Sequence, residues 1–361
     1  MSPQGSRPGP AGRSPVDVGG YRIVSLLAES GMGRVHLARS ASGQPVAVKT
    51  VHAHLAADPA FRERFRREAA AARAVTGRRS AAVLDAGPDA EEPWAAIEFC
   101  AGPGLPEAVA THGPLGDAEL GALGAALAEA LAGVHAAGVP HRDVKPSNVV
   151  ITRDGPKLLG FGVAKPVSAA GLAADGRALG SPGFLAPELL SEDARWEHAP
   201  AGPAADVFAL GAVLAVAATG RGPFGSGRAP EVLSRTLHEE PDLLGVPGAA
   251  WPWFLGRCLT RDPAERPSVA EVLSWCAGRA ATPPWWETEP VAELIRLQEE
   301  EVAELLATAD GGPTGTGEPP DAGDPYAAAA GLGILGALGT VPREKPTAPT
   351  AGPTDPRIPW R

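Results

Sequence analysis

One helical segment limits most strongly how this chain can fold. The residues from Ala205 to Gly220, ADVFALGAVLAVAATG, are apolar on every side of a helix except at Asp206. A helix that is apolar all round must be buried at the centre of a domain. The chain therefore needs a large domain around this segment, and the one carboxylate inside it needs polar partners.

Length and composition allow such a domain and exclude several classes of protein. The 361 residues are 44% hydrophobic, which suits one domain of about 250 residues with extensions. The N-terminal residues contain no apolar stretch of the signal-peptide type, so we expect a cytoplasmic protein. Cys100, Cys258 and Cys276 lack a CxxC spacing, which favours buried thiols over a disulfide framework or a zinc site.

The negative charge is concentrated near the C-terminus. The formal net charge is −10, and the residues from Pro283 to Arg361 include 13 acidic and 5 basic side chains. Nucleic-acid binders need a basic patch or stripe, which neither part of the chain offers. We therefore expect no nucleic-acid partner.

The first part of the chain predicts a small sheet followed by a helix. Residues 1–19 are rich in Pro, Gly and Ser, and we expect them to be disordered. From Tyr21 onward, alternating runs separated by Gly-containing turns predict an antiparallel sheet. A helix then begins with Asp58 as N-cap and Pro59 in the first turn.

That helix carries a carboxylate on its apolar face. The residues that recur at spacings of four, three and four are Phe61, Phe65, Glu68 and Ala72. Such spacings place side chains on one face of a helix. Because a carboxylate on a buried face needs a partner, Glu68 is expected to have one elsewhere in the fold.

Two further segments follow the mainly helical region that ends near Arg279. Residues 280–310 predict an acidic amphipathic helix, which either docks on the core or forms a coiled coil with a partner. Residues 311–361 are rich in Pro, Gly and Ala and are predicted to be flexible. Their uncharged run, residues 326–341, has 16 residues, fewer than the about 20 of a membrane span. No membrane anchor is therefore expected.

The stretch HRDVKPSNVV, which begins at His141, carries the most specific pattern in the chain. It places Asp143, Lys145 and Asn148 in a loop between a predicted helix and a hairpin signal. Here the chain resembles the protein kinases, in their bacterial serine/threonine branch, and the resemblance extends to about Arg279. It implies an α+β, bilobal protein kinase fold with a small antiparallel-sheet N-lobe and a larger helical C-lobe.

The resemblance also implies a domain organisation and an activity. The kinase domain would comprise residues 20–279, with an N-lobe over about 20–100 and a C-lobe over about 101–279. Such a protein binds ATP with Mg²⁺ and transfers the γ-phosphoryl group to serine or threonine residues of proteins. Its partners would be a protein substrate or a signalling protein, and a homodimer is a further expectation.

Three residues of the loop have roles by resemblance. Asp143 would accept or orient the proton of the substrate hydroxyl, and Lys145 would lie against the transferring phosphate. Asn148 would hold one Mg²⁺ ion. Phosphoryl transfer depends on positioning and charge neutralisation more than on covalent chemistry, and these side chains supply both.

The nucleotide phosphates would be held from the N-lobe. Lys49 in VAVK resembles the strand lysine that contacts the α and β phosphates. Its partner would be Glu68, the carboxylate noted above on the apolar helix face. Glu63 is the poorer alternative, since it lies more than one turn away.

Further nucleotide contacts follow from the resemblance. The remaining residues assigned to nucleotide binding are Leu27, Gly31, Gly33, Val35, Ala47, Glu98 and Cys100. Glu98 to Cys100 would form the hinge beside adenine. In the phosphate-covering loop, AESGMGRV, Ala28 and Ser30 replace the first two glycines of the family pattern. The methyl group of Ala28 restricts the backbone conformations open to Gly, so weakened nucleotide binding is expected.

Two buried contacts are also implied. Glu188 in APE would pair with Arg266, and Asp206 would tie the central helix to the catalytic loop. Both contacts are structural rather than catalytic.

Gly160 departs from the family pattern at the metal site. It stands in GFG where the family has DFG, and the Asp of that motif ligates Mg²⁺, so the ion would be weakly held. Three interpretations remain open. The chain is a weak or conditional kinase, it is an inactive pseudokinase that acts as a nucleotide-dependent scaffold, or another carboxylate replaces the missing one. Glu29 and Asp154 are poor candidates for that replacement.

Overall fold

The structure is a computed structural model that describes residues 17–30, 32–160, 182–190 and 202–310. The expectations for the N-terminal residues 1–16, for Gly31 and for the flexible tail after residue 310 lie outside the described residues. The run at residues 326–341 lies outside them as well.

Among the described residues, a six-stranded antiparallel sheet forms the N-lobe, in the order β1-β2-β3-β4-β6-β5. Its strands are β1 Asp17–Val18, β2 Tyr21–Ser30, β3 Gly33–Arg39, β4 Pro45–Val51, β5 Val83–Gly87 and β6 Trp94–Glu98. The predicted sheet is therefore present. It begins earlier than expected, because Asp17 and Val18 pair with Arg22 and Tyr21.

Helix α2, Pro59–Arg73, packs on this sheet after the short helix α1, Ala53–Ala56. The backbone N–H of Ala60 donates to Asp58 Oδ1 at 2.9 Å, which confirms Asp58 as the N-cap. Phe61 and Phe65 are buried with Val51 of β4 in one apolar cluster. The apolar face of the helix is thus the one predicted from its spacing.

The C-lobe is helical and surrounds α5, as the apolar segment required. Its helices are α3 Leu105–His112, α4 Asp117–Ala136, α5 Pro203–Thr219, α6 Ala229–His238, α7 Ala250–Cys258 and α8 Val269–Ala277. Helix α5 is buried over nearly its whole length, and Asp206 is only 1% exposed. Strands β7, Val149–Thr152, and β8, Gly155–Leu158, form the predicted hairpin.

Helix α9, Val291–Asp310, follows two buried tryptophans, Trp285 and Trp286. It packs against the core of the same chain through a stripe of buried residues. Of the two predicted alternatives, docking on the core is therefore the one observed. The buried positions of the stripe are Val291, Ile295, Gln298, Val302 and Leu306. Within the described ranges, no helix is both long and apolar enough to cross a membrane.

The three cysteines are free and buried, as the sequence predicted. Burial raises the pKa of Cys100 and of Cys276 to about 12 each, and it raises the pKa of Cys258 as well. A thiol with a pKa this high is protonated at pH 8, where only about one in ten thousand is the reactive thiolate.

We expect the folded protein to resist iodoacetamide at pH 8 at all three cysteines, and to be alkylated at all three in urea. Mass spectrometry of the two samples measures the difference. Rapid labelling of Cys100 in the folded protein would contradict the buried, protonated state described above.

Candidate active site

The catalytic loop lies between α4 and β7 and brings Asp143 and Lys145 together. Lys145 Nζ is 3.5 Å from Asp143 Oδ2, and both side chains are largely buried. This pair joins a carboxylate that can accept a proton with an ammonium group that can neutralise a phosphate. The loop therefore presents the two groups that the sequence predicted to act together.

Asn148 lies at the end of the same loop, in a short 3₁₀ turn at Pro146–Asn148. Its Nδ2 donates to the backbone carbonyl of Asp143 at 2.6 Å. Because the amide nitrogen is used in this way, Oδ1 is the atom of Asn148 suited to a metal ion. The backbone N–H of Leu159 donates to Asn148 O at 2.7 Å, which holds the residues after β8 next to the loop.

Asp206 holds the catalytic loop on the central helix. Its Oδ2 accepts from the backbone N–H of His141 at 2.7 Å, and its Oδ1 accepts from that of Arg142 at 2.8 Å. Arg142 adopts a φ of 63°, an uncommon backbone conformation for a residue other than glycine. The expected tie between Asp206 and the loop is confirmed, and it supports this conformation.

Two histidines contribute to this arrangement. His135 Nε2 lies 2.7 Å from Asp206 Oδ2, and the backbone N–H of Asp143 donates to His141 Nδ1 at 3.3 Å. His135 was not predicted from the sequence. Its position in the last turn of α4, directly before the loop, was the available signal.

Gly160 follows β8 and lies beside Asn148. It has a φ of 71°, and a Cβ atom placed on it would be 3.8 Å from Asn148 Nδ2, its nearest neighbour among the described residues. That distance is an ordinary van der Waals contact. Among the described residues, nothing crowds a Cβ atom at Gly160, and a side chain there would begin next to the proposed metal ligand.

No replacement carboxylate is evident in the parts of the chain that the structure describes. Glu29 Oε1 accepts from Arg34 Nε at 2.8 Å, and Asp154 lies in the turn of the β7–β8 hairpin. Within the described ranges, no group of three or more His, Cys, Asp or Glu side chains could hold a metal ion. Asn148 therefore stays the predicted metal ligand among the residues that the structure describes.

Lys49 and Glu68 lie on the elements that the prediction requires, β4 and α2, and both are half-buried. Their ion pair stays a prediction. The alternative partner, Glu63, is exposed and forms an ion pair with Arg66 on the helix surface. Glu63 is therefore committed to another contact.

The residues predicted to cover the nucleotide lie on β2, β3 and β4. Leu27 and Val35 are buried in one apolar cluster, against which Ala47 packs. Ala28 is paired with Val35 inside β2 and does not have a positive φ, so its methyl group imposes no backbone strain there. The expected weakening of nucleotide binding by Ala28 stays a prediction.

Gly33 has a packing requirement of its own. A Cβ atom at this position would lie 1.8 Å from the carbonyl oxygen of Thr50. Only glycine allows β3 to approach β4 this closely. The structure thus requires Gly33 for the sheet, whatever its contribution to phosphate binding.

The predicted hinge, Glu98 to Cys100, begins at the last residue of β6. Glu98 forms an ion pair with Lys157, and its Oε2 accepts from the backbone N–H of Ala82 at 3.2 Å. Cys100 is buried in a cluster with Ala81 and Val150.

Leu159 and Ile97 pack against that cluster. The contacts of Cys100 with Val150 and Ala81 were not predicted, because a sequence does not show which distant segments pack against a buried residue.

The predicted pair of Glu188 and Arg266 is confirmed. Arg266 Nη1 and Nη2 donate to the two carboxylate oxygens of Glu188, each at 2.7 Å. The two side chains are 2% and 0% exposed. Arg266 also donates to the carbonyl oxygen of Ala204, so the pair fastens residues 187–189 to the start of α5.

Comparisons with known proteins agree with this geometry. Residues 21–275 match the family model described as Protein kinase domain. The probable serine/threonine-protein kinase PkwA of Thermomonospora curvata is 42% identical over 268 residues, which are 74% of this chain and 35% of PkwA. The serine/threonine-protein kinase AfsK of Streptomyces coelicolor is 42% identical over 263 residues, 73% of this chain and 32% of AfsK. The chain therefore spans about a third of the length of these two relatives.

A solved structure is also similar. The crystal structure of the Mycobacterium tuberculosis PknI kinase domain superposes with a TM-score of 0.58 and 28% sequence identity. The superposition covers 75% of this chain and 100% of the PknI domain.

Proposed function

Because the chain belongs to the protein kinase family, in its bacterial serine/threonine branch, we propose that it transfers the γ-phosphoryl group of ATP to serine or threonine residues of a protein substrate. The transfer is slowed by the missing carboxylate at Gly160. One observation carries the proposal: Asp143, Lys145 and Asn148 are assembled on a loop that Asp206 holds in place.

Different residues of this chain have different roles in the proposed transfer. Asp143 orients the substrate hydroxyl and takes its proton, while Lys145 neutralises charge on the migrating phosphoryl group. Leu27, Val35 and Ala47 cover the adenine ring. Mg²⁺, when bound, neutralises the phosphates, and Asn148 Oδ1 is the protein atom that would hold it, which is why we expect weak metal binding.

Asp143→Asn is expected to lower the transfer of labelled phosphate to about one hundredth, because the amide cannot take the hydroxyl proton. The substitution keeps the size of the side chain and leaves the backbone carbonyl that holds Asn148. Incorporation of label into the chain itself or into a generic acceptor protein measures the effect. Transfer at the unchanged rate would refute the assignment of Asp143.

The second candidate is a pseudokinase that binds nucleotide and signals by conformation, and Gly160 is the observation that favours it. The two functions differ in their metal dependence. Tight nucleotide binding that is equal with and without Mg²⁺, with no transfer, would favour the scaffold. The expected homodimer and cytoplasmic location stay predictions, and light scattering of the purified chain tests the first.

A further inference from the structure

Helix α9 belongs to both lobes. Val291 and Ile295, in its first half, are buried in the large core of the C-lobe. Val302 and Leu306, in its second half, are buried in an apolar cluster with N-lobe strands. One rigid helix therefore spans the two parts of the fold between which the nucleotide is proposed to bind.

Polar contacts join the helix to both lobes. Arg39, the last residue of β3, donates from Nη2 to the carbonyl oxygen of Leu306 at 2.7 Å. In the C-lobe, Gln298 Nε2 donates to Glu107 of α3 at 3.1 Å. Arg153, in the β7–β8 turn, donates from Nε to Glu299 at 2.8 Å. The contacts on the two lobes are independent of each other.

The N-lobe cluster includes the proposed cover of the nucleotide. Its buried members are Leu27, Val35, Leu37, Val302 and Leu306, and Ala47 and Phe99 pack against them. Leu27, Val35 and Ala47 are the residues proposed to cover adenine, and Phe99 belongs to the hinge. The end of α9 thus packs against the same side chains that are proposed to line the nucleotide slot.

We propose that α9 is an interlobe brace whose Val302 and Leu306 are positioning residues for nucleotide binding. They hold β2 and β3 in the arrangement that covers the slot. This inference rests on the proposed nucleotide-binding function.

The physical reason is preorganisation. In the structure Leu27 is 1% and Leu37 is 0% exposed, and both share the cluster with α9. Without α9 this apolar surface meets water, and β2 and β3 lose the contact that fixes them relative to the C-lobe. Binding must then order the strands as well as hold the ligand, which lowers affinity.

The test uses a double variant that carries both Val302→Asp and Leu306→Asp. Its control is the single variant Leu297→Asp. Leu297 lies on the same helix but is 49% exposed, so it is a matched control. We expect the double variant to bind ADP at least about tenfold more weakly. Residues 21–39 should also lose protection from hydrogen exchange, while the control should match the parent in both measurements.

A kinetic readout separates positioning from general damage to the fold. If the variant transfers phosphate, the KM for ATP should rise while kcat at saturating ATP is retained. If the aspartates prevent folding, alanines at the same two positions remove the packing and still favour helix. The alanine variant should then show smaller losses of ADP affinity and of protection from hydrogen exchange.

Unchanged or tighter ADP binding by the double variant would overturn the brace, and tighter binding would show that α9 obstructs the slot. If the parent protein binds no ADP, the proposed function fails. Hydrogen exchange is then the measurement that tests the brace. Loss of protection over residues 21–39 then supports the brace, and retained protection overturns it.

Discussion

Gly160→Asp is expected to raise the rate of phosphoryl transfer at least about a hundredfold, which corresponds to ~3 kcal/mol of transition-state stabilisation. The variant would add the carboxylate that the metal site lacks beside Asn148. The same change should strengthen the dependence of nucleotide binding on Mg²⁺. Autophosphorylation and ADP titrations with and without Mg²⁺ measure the two effects.

The structure permits this substitution. Gly160 has a φ of 71°, and Asp is among the residues that tolerate the left-handed region. Within the described ranges, a Cβ atom there has no neighbour closer than 3.8 Å.

Gly160→Ala is the matched control, because it imposes the backbone cost without supplying a ligand, and it should not raise the rate. A folded Gly160→Asp protein with no gain over the Ala variant would show that more than the metal ligand is missing. The pseudokinase would then be favoured.

Glu188→Ala is expected to lower the free energy of unfolding by ~3–5 kcal/mol, because it leaves a buried guanidinium group without its carboxylate. Arg266 is fully buried, and both of its terminal nitrogens donate to Glu188. Chemical denaturation of the two proteins measures the change. We also expect lower activity, since the pair anchors residues 187–189 to the start of α5, which carries Asp206.

Two controls test the physical reason. Arg73→Ala removes an exposed ion pair with Asp85, at 3.0 Å, and should change stability by no more than about 1 kcal/mol. Replacing Glu188 and Arg266 together by leucines should cost less than Glu188→Ala, because no charge is then left buried. A loss below about 1 kcal/mol for Glu188→Ala would contradict the assigned role of the pair.

Much of the site was predictable because its chemistry is local in the sequence. Asp143, Lys145 and Asn148 lie within six consecutive residues, so one loop brings them together whatever the rest of the chain does. The central helix was predictable for a different reason. A segment apolar on every face has only a buried position available to it, and its single carboxylate, Asp206, had to find donors there.

Other parts of the site depend on contacts between distant segments. Periodicity showed that α9 has an apolar face, but it does not show what that face meets. Only the tertiary structure places Val291 and Ile295 in the C-lobe and Val302 and Leu306 on the N-lobe. Val150 and Ala81 likewise meet Cys100 in one cluster only because segments far apart in the chain fold against each other.

Gly33 and Gly160 illustrate the difference between what the sequence determines and what only the tertiary structure decides. By itself, the sequence determined which motif each belongs to and that Gly160 stands where a carboxylate is expected. Only the tertiary structure decided that Gly33 is required, because a Cβ there would lie 1.8 Å from Thr50 O. It also decided that no described residue crowds a Cβ at Gly160. The reason is that a residue's own type defines its backbone freedom, whereas the room around it is set by segments that fold against it.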